Sequence, residues 1–324
     1  MTLFLQTLIS GLNLGSIYAL IALGYTMVYG IAKMLNFAHG DVIMIGAYSI
    51  IVSVYQMKMP GIVAILISVV LCALLGVLIE FLAYKPLRKA QPLAVLITAI
   101  GVSYFLQNAA LLIFGSEQKS FPTSIVHLPA VTLGEVRIEG NTLMTLAVTA
   151  LIMVALTLFI GKTKMGKAMR AVSEDKEAAE LMGISANRTI SMTFAIGSAL
   201  AAVASLFYGA TYTYITPTTG SMPGIKAFVA AVFGGIGSVP GALIGGIILG
   251  IIEILSKAFT AAVFGGIGSI PGAMLGGILL GTIEQFAKAY ISTAMSDAVV
   301  FAVLVLVLVV RPSGLLGKKI REKV

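Results

Sequence analysis

The sequence predicts an all-α polytopic membrane protein: a bundle of about eight transmembrane helices plus broken or re-entrant glycine-rich helices, with one such unit duplicated in tandem. Three observations predict it. Hydrophobic residues make up 59% of the 324 residues and charged ones only 10%, and the mean hydropathy is +1.05, far too apolar for a soluble domain of this length. Apolar runs of about 20 residues, the length an α-helix needs to cross a bilayer, recur along the chain. Continuous runs such as "VVFAVLVLVLVV" lack the alternation that a β-barrel strand requires. Residues 1–324 read as a single transmembrane domain.

The runs fall at 3–29, 41–56, 61–84, 92–114, 141–160 and 189–209, then in glycine-rich segments at 226–255 and 257–286, and finally at 294–310. Residues 1–13 carry no basic n-region, so the first run is expected to persist rather than be cleaved as a signal peptide. Lys85, Arg88 and Lys89 follow the third run; Lys162, Lys164, Lys167 and Arg170 follow the fifth; Lys318, Lys319, Arg321 and Lys323 close the chain. The positive-inside rule assigns these three regions to the cytoplasm. The 116–140 loop, with mixed charges and Pro122 and Pro129, then lies outside, and the first run enters from outside. The net charge of +8 sits in these short patches between spans, which argues against a nucleic-acid-binding face.

Polar residues inside apolar runs are the candidate functional groups. In "MLNFAHGD", Asn36, His39 and Asp41 stand at the border of two runs, with Gly40 as a breaker. Polar groups at membrane depth are costly and usually face a bundle interior or a water-filled path. These three are therefore candidates for a substrate pathway or gate; the competing reading is an interfacial turn near the inner surface. His39 alone makes no metal site, because the second histidine, His127, is expected on the opposite side. Glu80 reads as an interfacial residue paired with Lys85 or Arg88, and Gln107 and Asn108 read as bonds between helices. Gly11 and Gly15 form a G-x-x-x-G pair that permits close helix approach. Cys72 stands alone in an apolar run, so neither a disulfide framework nor a cysteine metal site is expected. "GKTKMGK" fails as a phosphate-binding loop, since the required glycine is replaced by Leu156. No catalytic constellation or resident cofactor is expected.

Residues 226–256, "KAFVAAVFGGIGSVPGALIGGIILGIIEILS", are followed at once by 257–287, "KAFTAAVFGGIGSIPGAMLGGILLGTIEQFA". The period is 31 residues, and 22 of the 31 aligned positions are identical. Each copy predicts an apolar half-helix, a Gly-Gly-x-Gly-Ser-x-Pro-Gly break and a longer glycine-rich helix. Whether a copy spans or re-enters is open from the sequence. Non-helical backbone at membrane depth is tolerated only where protein or a cavity surrounds it.

The stretch "AMRAVSEDKEAAELMGIS" (168–185) departs from the rest, with seven ionisable residues between Lys167 and Glu180. It predicts a short helix on the inner face, starting at Ser173 and stopped by Gly183, whose exposed Ala178, Ala179, Leu181 and Met182 need a partner surface. "EAAELMG" resembles the EAA-type loop of ABC importer permeases, although the further Leu-Pro pair of that motif is missing. "NLGSIYALIALGYTMVYGIAKMLNFAHGDVIMIGAY" (13–48), "AAVFGGIGSIPGAMLGGILLG" and "RPSGLLG" (311–317) resemble the high-affinity branched-chain amino-acid permeases of the LivH type. That resemblance implies a multi-pass permease subunit in the bacterial inner membrane. It implies two ATP-binding cassette subunits that hydrolyse the ATP, a homologous second permease and a periplasmic binding protein as partners. It also makes 162–188 a cytoplasmic coupling loop in which Glu177, Ala178, Ala179 and Gly183 meet an ATPase. The family carries the glycine-rich unit once, so the second copy is a departure. A secondary transporter or facilitator working without an ATPase is the alternative, and the sequence leaves branched-chain amino acids, other amino acids, urea and amides open as substrates.

Overall fold

The computed structural model of the chain describes residues 2–88, 90–126, 129–133, 136–265, 270–290 and 296–310. Twelve α-helices run through these residues: α1 (Thr2–Ala32), α2 (His39–Ile51), α3 (Gly61–Ile79), α4 (Pro92–Phe114), α5 (Gly140–Lys162), α6 (Lys164–Glu174), α7 (Lys176–Leu181), α8 (Ala186–Tyr212), α9 (Ser221–Gly234), α10 (Val239–Gly265), α11 (Ile270–Tyr290) and α12 (Ser296–Val310). Two antiparallel strand pairs, β1 (Lys119–Ser120) with β4 (Tyr214–Ile215) and β2 (Val131–Leu133) with β3 (Val136–Ile138), stand outside the helical bundle's pattern. Among the described residues, six helical segments are long and apolar enough to cross a bilayer: Phe4–Ala32, Gly61–Tyr84, Pro92–Phe114, Gly140–Lys162, Ala186–Tyr212 and Val239–Thr260. The chain forms two compact units, Met1–Ile251 and Ile252–Val324.

The core of the first unit is α1, α2 and α8. Ile17, Ala19, Leu20, Ile21, Ala22 and Leu23 of α1 are wholly buried, as are Phe194, Ala201 and Phe207 of α8. Helices α3, α4 and α5 turn broad apolar faces outward, Ile62 at 74% and Leu112 at 87% exposure among them, as lipid contact demands. With no hydrophobic drive between helices in lipid, close packing rests on small residues. A Cβ on Gly15 would lie 2.7 Å from the Ile247 Cα, and one on Gly11 would lie 2.9 Å from the Ile251 Cα. The G-x-x-x-G pair of α1 thus seats α10, whose Gly246 and Gly250 meet Ala19 and Gly15 in return.

The second apolar run differs from a full span. Helix α2 has 13 residues and continues for five more as a π-helical turn, Val52–Gln56. Its start lies halfway along α3: the Cys72 thiol donates to the Val42 carbonyl at 3.6 Å, and Cys72 is the midpoint of Gly61–Tyr84. The Ser68 hydroxyl donates to the Gly46 carbonyl at 2.9 Å, so α2 runs antiparallel to α3 from the centre outward. Helix α9, of 14 residues, starts at the same depth and runs the other way. Its Gly224 faces Gly40, its Phe228 meets Tyr25 and Phe37, and Gly237 beyond it meets Gly30 near the end of α1. Positive φ at Gly235 (+90°) and Gly237 (+100°) makes the break between α9 and α10, a geometry that suits glycine.

The first copy of the repeat is therefore a hairpin: α9 descends to the face that carries α6 and α7, and α10 returns along α1. The expected half-helix of the second copy is not separate. Residues 257–265 continue α10 without interruption, because "IIEILSKAF" holds no breaker and extending a helix needs no new nucleus. Glu253 pairs with Lys257 at 3.2 Å across the seam, an i,i+4 contact worth about 0.2–0.5 kcal/mol. The second unit contains the end of α10 with α11 and α12, which pack together. The second copy's break at 266–269, the "RPSGLLG" segment and the basic tail lie outside the described residues.

Helix α10 returns to the outer face, and the basic tail is expected inside after one crossing by the last run. Residues 257–287 are therefore expected to cross an even number of times, and their deletion to leave insertion and the side of the C-terminal tail unchanged. Labelling a cysteine at position 320 with an impermeant thiol reagent, in a Cys72→Ser background, checks this. A tail moved to the opposite side would show that the second copy crosses the membrane an odd number of times.

Candidate gate and coupling helix

Asp41 is 1% exposed and occupies the first turn of α2. The Gln107 side-chain amide of α4 donates to its carboxylate at 3.0 Å and lies 3.1 Å from both the Ser103 and Ser221 hydroxyls. Ser221 opens α9, so one Gln107 amide bridges the N-termini of two half-helices. Each N-terminus carries partial positive charge, which offsets the cost of an anion away from water. The convergence is a backbone contact: a Cβ on Gly220 would collide with the Gly40 carbonyl, and a Cβ on Gly224 would lie 2.8 Å from the Gly40 Cα.

Asn36, His39 and Asp41 do not share one hydrogen-bonded network. Asn36, 3% exposed, accepts a bond of 2.9 Å from the Tyr84 hydroxyl, which belongs to a second π-helical turn, Glu80–Tyr84, at the end of α3. His39 packs edge-on against Tyr25 at 4.7 Å and over Gly24, and neither ring nitrogen meets a hydrogen-bond partner in favourable geometry. Asp41 and His39 stand at the start of α2, level with the middle of α3. The physical reason is the shortness of α2: the chain leaves α1 at Ala32, turns through Lys33 at φ +55°, and restarts a helix inside the bundle.

Of the pair expected to bond between helices, Gln107 does so and Asn108 does not. Asn108 is exposed and donates to the Tyr104 carbonyl of its own helix at 2.7 Å. Glu80 is wholly buried rather than interfacial, and its partner is Arg88. Sequence reasoning missed Tyr84 and Ser221 as partners, because no spacing links positions so far apart, and it also missed Ser103, one turn before Gln107 on α4. His127 lies outside the described residues.

The segment 162–188 folds as two helices. Thr163 caps α6 by accepting from the Gly166 N–H at 3.0 Å, and Asp175 caps α7 by accepting from Glu177 and Ala178 N–H groups at 2.9 and 3.0 Å. Ser173 is thus inside α6, not at a helix start; Asp175 holds that place because its carboxylate reaches both free N–H groups. Gly183, at φ +80°, ends the segment as expected. Glu177 and Ala178 are exposed, and Leu181 and Met182 stand out at 88% and 83% exposure. Ala179 differs from expectation: at 4% exposure it is buried against its own chain, on the inward side of α7.

The family model for the branched-chain amino acid transport system / permease component matches residues 7–259 and 253–308. The chain belongs to this permease family. The high-affinity branched-chain amino acid transport system permease protein BraD of Pseudomonas aeruginosa is 43% identical over 335 residues, covering 99% of this chain and 98% of the relative. The permease protein LivH of Escherichia coli K12 is 43% identical over 332 residues with the same coverage. A probable LivH permease of Methanocaldococcus jannaschii is 32% identical over 255 residues, covering 74% and 77% of the two chains. No solved structure gives a significant match. The two family matches overlap at 253–259, across the seam of the repeat, so the permease pattern resumes where the second copy begins.

The Gly220→Ala variant is expected to lose about 1–3 kcal/mol of stability, since the new methyl meets backbone that cannot yield. The Gly101→Ala variant, with nothing within 4 Å, is expected to be neutral or slightly stabilising. Thermal unfolding of both purified variants checks this; equal transition temperatures would contradict the packing described.

Proposed function

We propose that this permease is the membrane subunit of an ATP-driven importer for branched-chain amino acids in a bacterial cytoplasmic membrane. Its partners in this reading are two ATP-binding cassette subunits, a homologous second permease and a periplasmic binding protein, and ATP is hydrolysed by the cassette subunits. The observation that carries the reading is the tip of α7. Leu181 and Met182 are almost fully exposed on a capped helix beside basic α6, on the face assigned to the cytoplasm. Two large apolar side chains held in water on a rigid turn fit a cleft on a soluble partner. Glu177 and Ala178 border that tip, and Gly183 sets its end.

In this mechanism, movement of α7 alters the bundle through α8, and the passage opens where α2 and α9 meet. The Gly40–Gly220 contact carries no interlocking side chains, so the two half-helices can part without unthreading. Parting bares Asp41 beside two helix N-termini, which suits a zwitterion: the carboxylate attracts an ammonium group and the N–H groups attract a carboxylate. Asn36 and His39 line the same end of α2 and complete the gate.

Leu181→Glu and Met182→Glu are each expected to weaken association with the cassette subunits about tenfold or more, since each removes about 1.5–3 kcal/mol of apolar burial, while insertion stays normal. Ala179→Glu is expected to impair folding instead. Co-purification with the cassette subunits and membrane yield check both. Wild-type association in both exposed variants, or amino-acid accumulation by this chain alone on an ion gradient, would overturn the reading in favour of a secondary transporter.

A further inference from the structure

The buried pair Glu80–Arg88 is not used by the gate or by the docking tip. Glu80 is fully buried and Arg88 is 7% exposed. One terminal guanidinium nitrogen of Arg88 donates to Glu80, and the other donates to Asn187. The second carboxylate oxygen of Glu80 accepts from the Ser191 hydroxyl at 2.6 Å. Asn187 and Ser191 are one turn apart on α8, which begins at Ala186, three residues after Gly183 ends the docking segment. The network therefore ties the first two turns of α8 to the end of α3.

The same π-helical turn has a second attachment. Glu80 and Tyr84 are its first and last residues, closed by the Lys85 N–H donating to the Glu80 carbonyl at 2.7 Å. Tyr84 donates to Asn36, just ahead of α2. A contiguous path results: α7, the start of α8, Arg88 and Glu80, the π-turn, Tyr84, and the entrance of α2. π-turns inside α-helices recur at functional positions, and their extra residue gives the segment a second register to move into.

We propose that Glu80, Arg88, Asn187 and Tyr84 are positioning residues that transmit movement of the docking helix to the half-helix α2, making the passage open in step with ATP hydrolysis. This rests on the coupling reading above. A buried ion pair suits the task, since it resists separation and moves as a unit: breaking one partner away leaves an uncompensated charge. Arg88 Nε is buried with no hydrogen-bond partner, so the guanidinium is held at its tips alone.

The test uses the assembled complex with its cassette subunits and binding protein in proteoliposomes, measuring leucine moved and ATP hydrolysed together. Tyr84→Phe keeps the ring and removes the hydroxyl; Asn187→Ala removes an exposed side chain and leaves the ion pair intact. Each is expected to preserve co-purification and keep ATP hydrolysis within about twofold, while leucine moved per ATP falls about fivefold or more. Because both lie on one path, the double variant is expected to be little worse than either single one. Leucine moved per ATP equal to wild type in both variants would overturn the proposal, as would transport and hydrolysis falling together in proportion to assembled complex. A wild-type chain that binds no cassette subunit would overturn the coupling reading itself, and the transmitting role with it.

Discussion

The contact of Gly40 with Gly220 is the constraint on which the rest of the described first unit depends. Two half-helices start there and run to opposite faces, so two ends of helix lie where a bilayer offers no water. Free N–H groups at such a depth must be satisfied within the protein. The turns ahead of the two helices supply that: the His39 and Asp41 N–H groups donate to the Asn36 and Ala38 carbonyls, and the Ser221 N–H donates to the Thr218 carbonyl. Any Cβ at this point would push the two helix ends apart.

The surrounding helices are arranged to hold this junction. Long helix α1 binds α10 through Gly11 and Gly15 and passes His39 at Gly24, where a Cβ would strike the imidazole. Helix α8 contacts α1 at Gly197 and carries Ser198 against Gly76 of α3. Glycines at the crossing points let backbones touch, while Phe194, Phe207 and the Ile and Leu residues of α1 fill the space between those points. The polar network at Glu80 ties the end of α3 to the first turns of α8. Architecture and proposed coupling thus share the same few contacts.

The fold class was legible in the sequence because apolar runs and charge patches are local signals. Runs at 61–84, 92–114 and 141–160 match α3 with its π-turn, α4 and α5 closely. The depth of α2 was not legible: 16 apolar residues look like a short span, and only contacts to Cys72 and Gln107 show where it begins. Likewise "KAFVAAVFG" and "KAFTAAVFG" are nearly identical, yet one belongs to the short helix α9 and the other extends α10, since what precedes each decides. Asn36, His39 and Asp41 stood out by being polar among apolar neighbours. Tyr84, which bonds Asn36, and Ser103 and Ser221, which surround the Gln107 amide that bonds Asp41, are ordinary residues until the fold brings them near.

The most direct measurement of the central claim is a cross-link between α4 and the start of α9. Cysteines at Ser103 and Ser221, in a Cys72→Ser background, would sit around a single Gln107 amide, with the native hydroxyls both 3.1 Å from it. With a protease site placed in the 116–140 loop, a short bifunctional thiol reagent is expected to hold the two fragments together after cleavage. Fragments that separate fully despite both cysteines reacting would place the start of α9 away from the bundle centre and contradict the account.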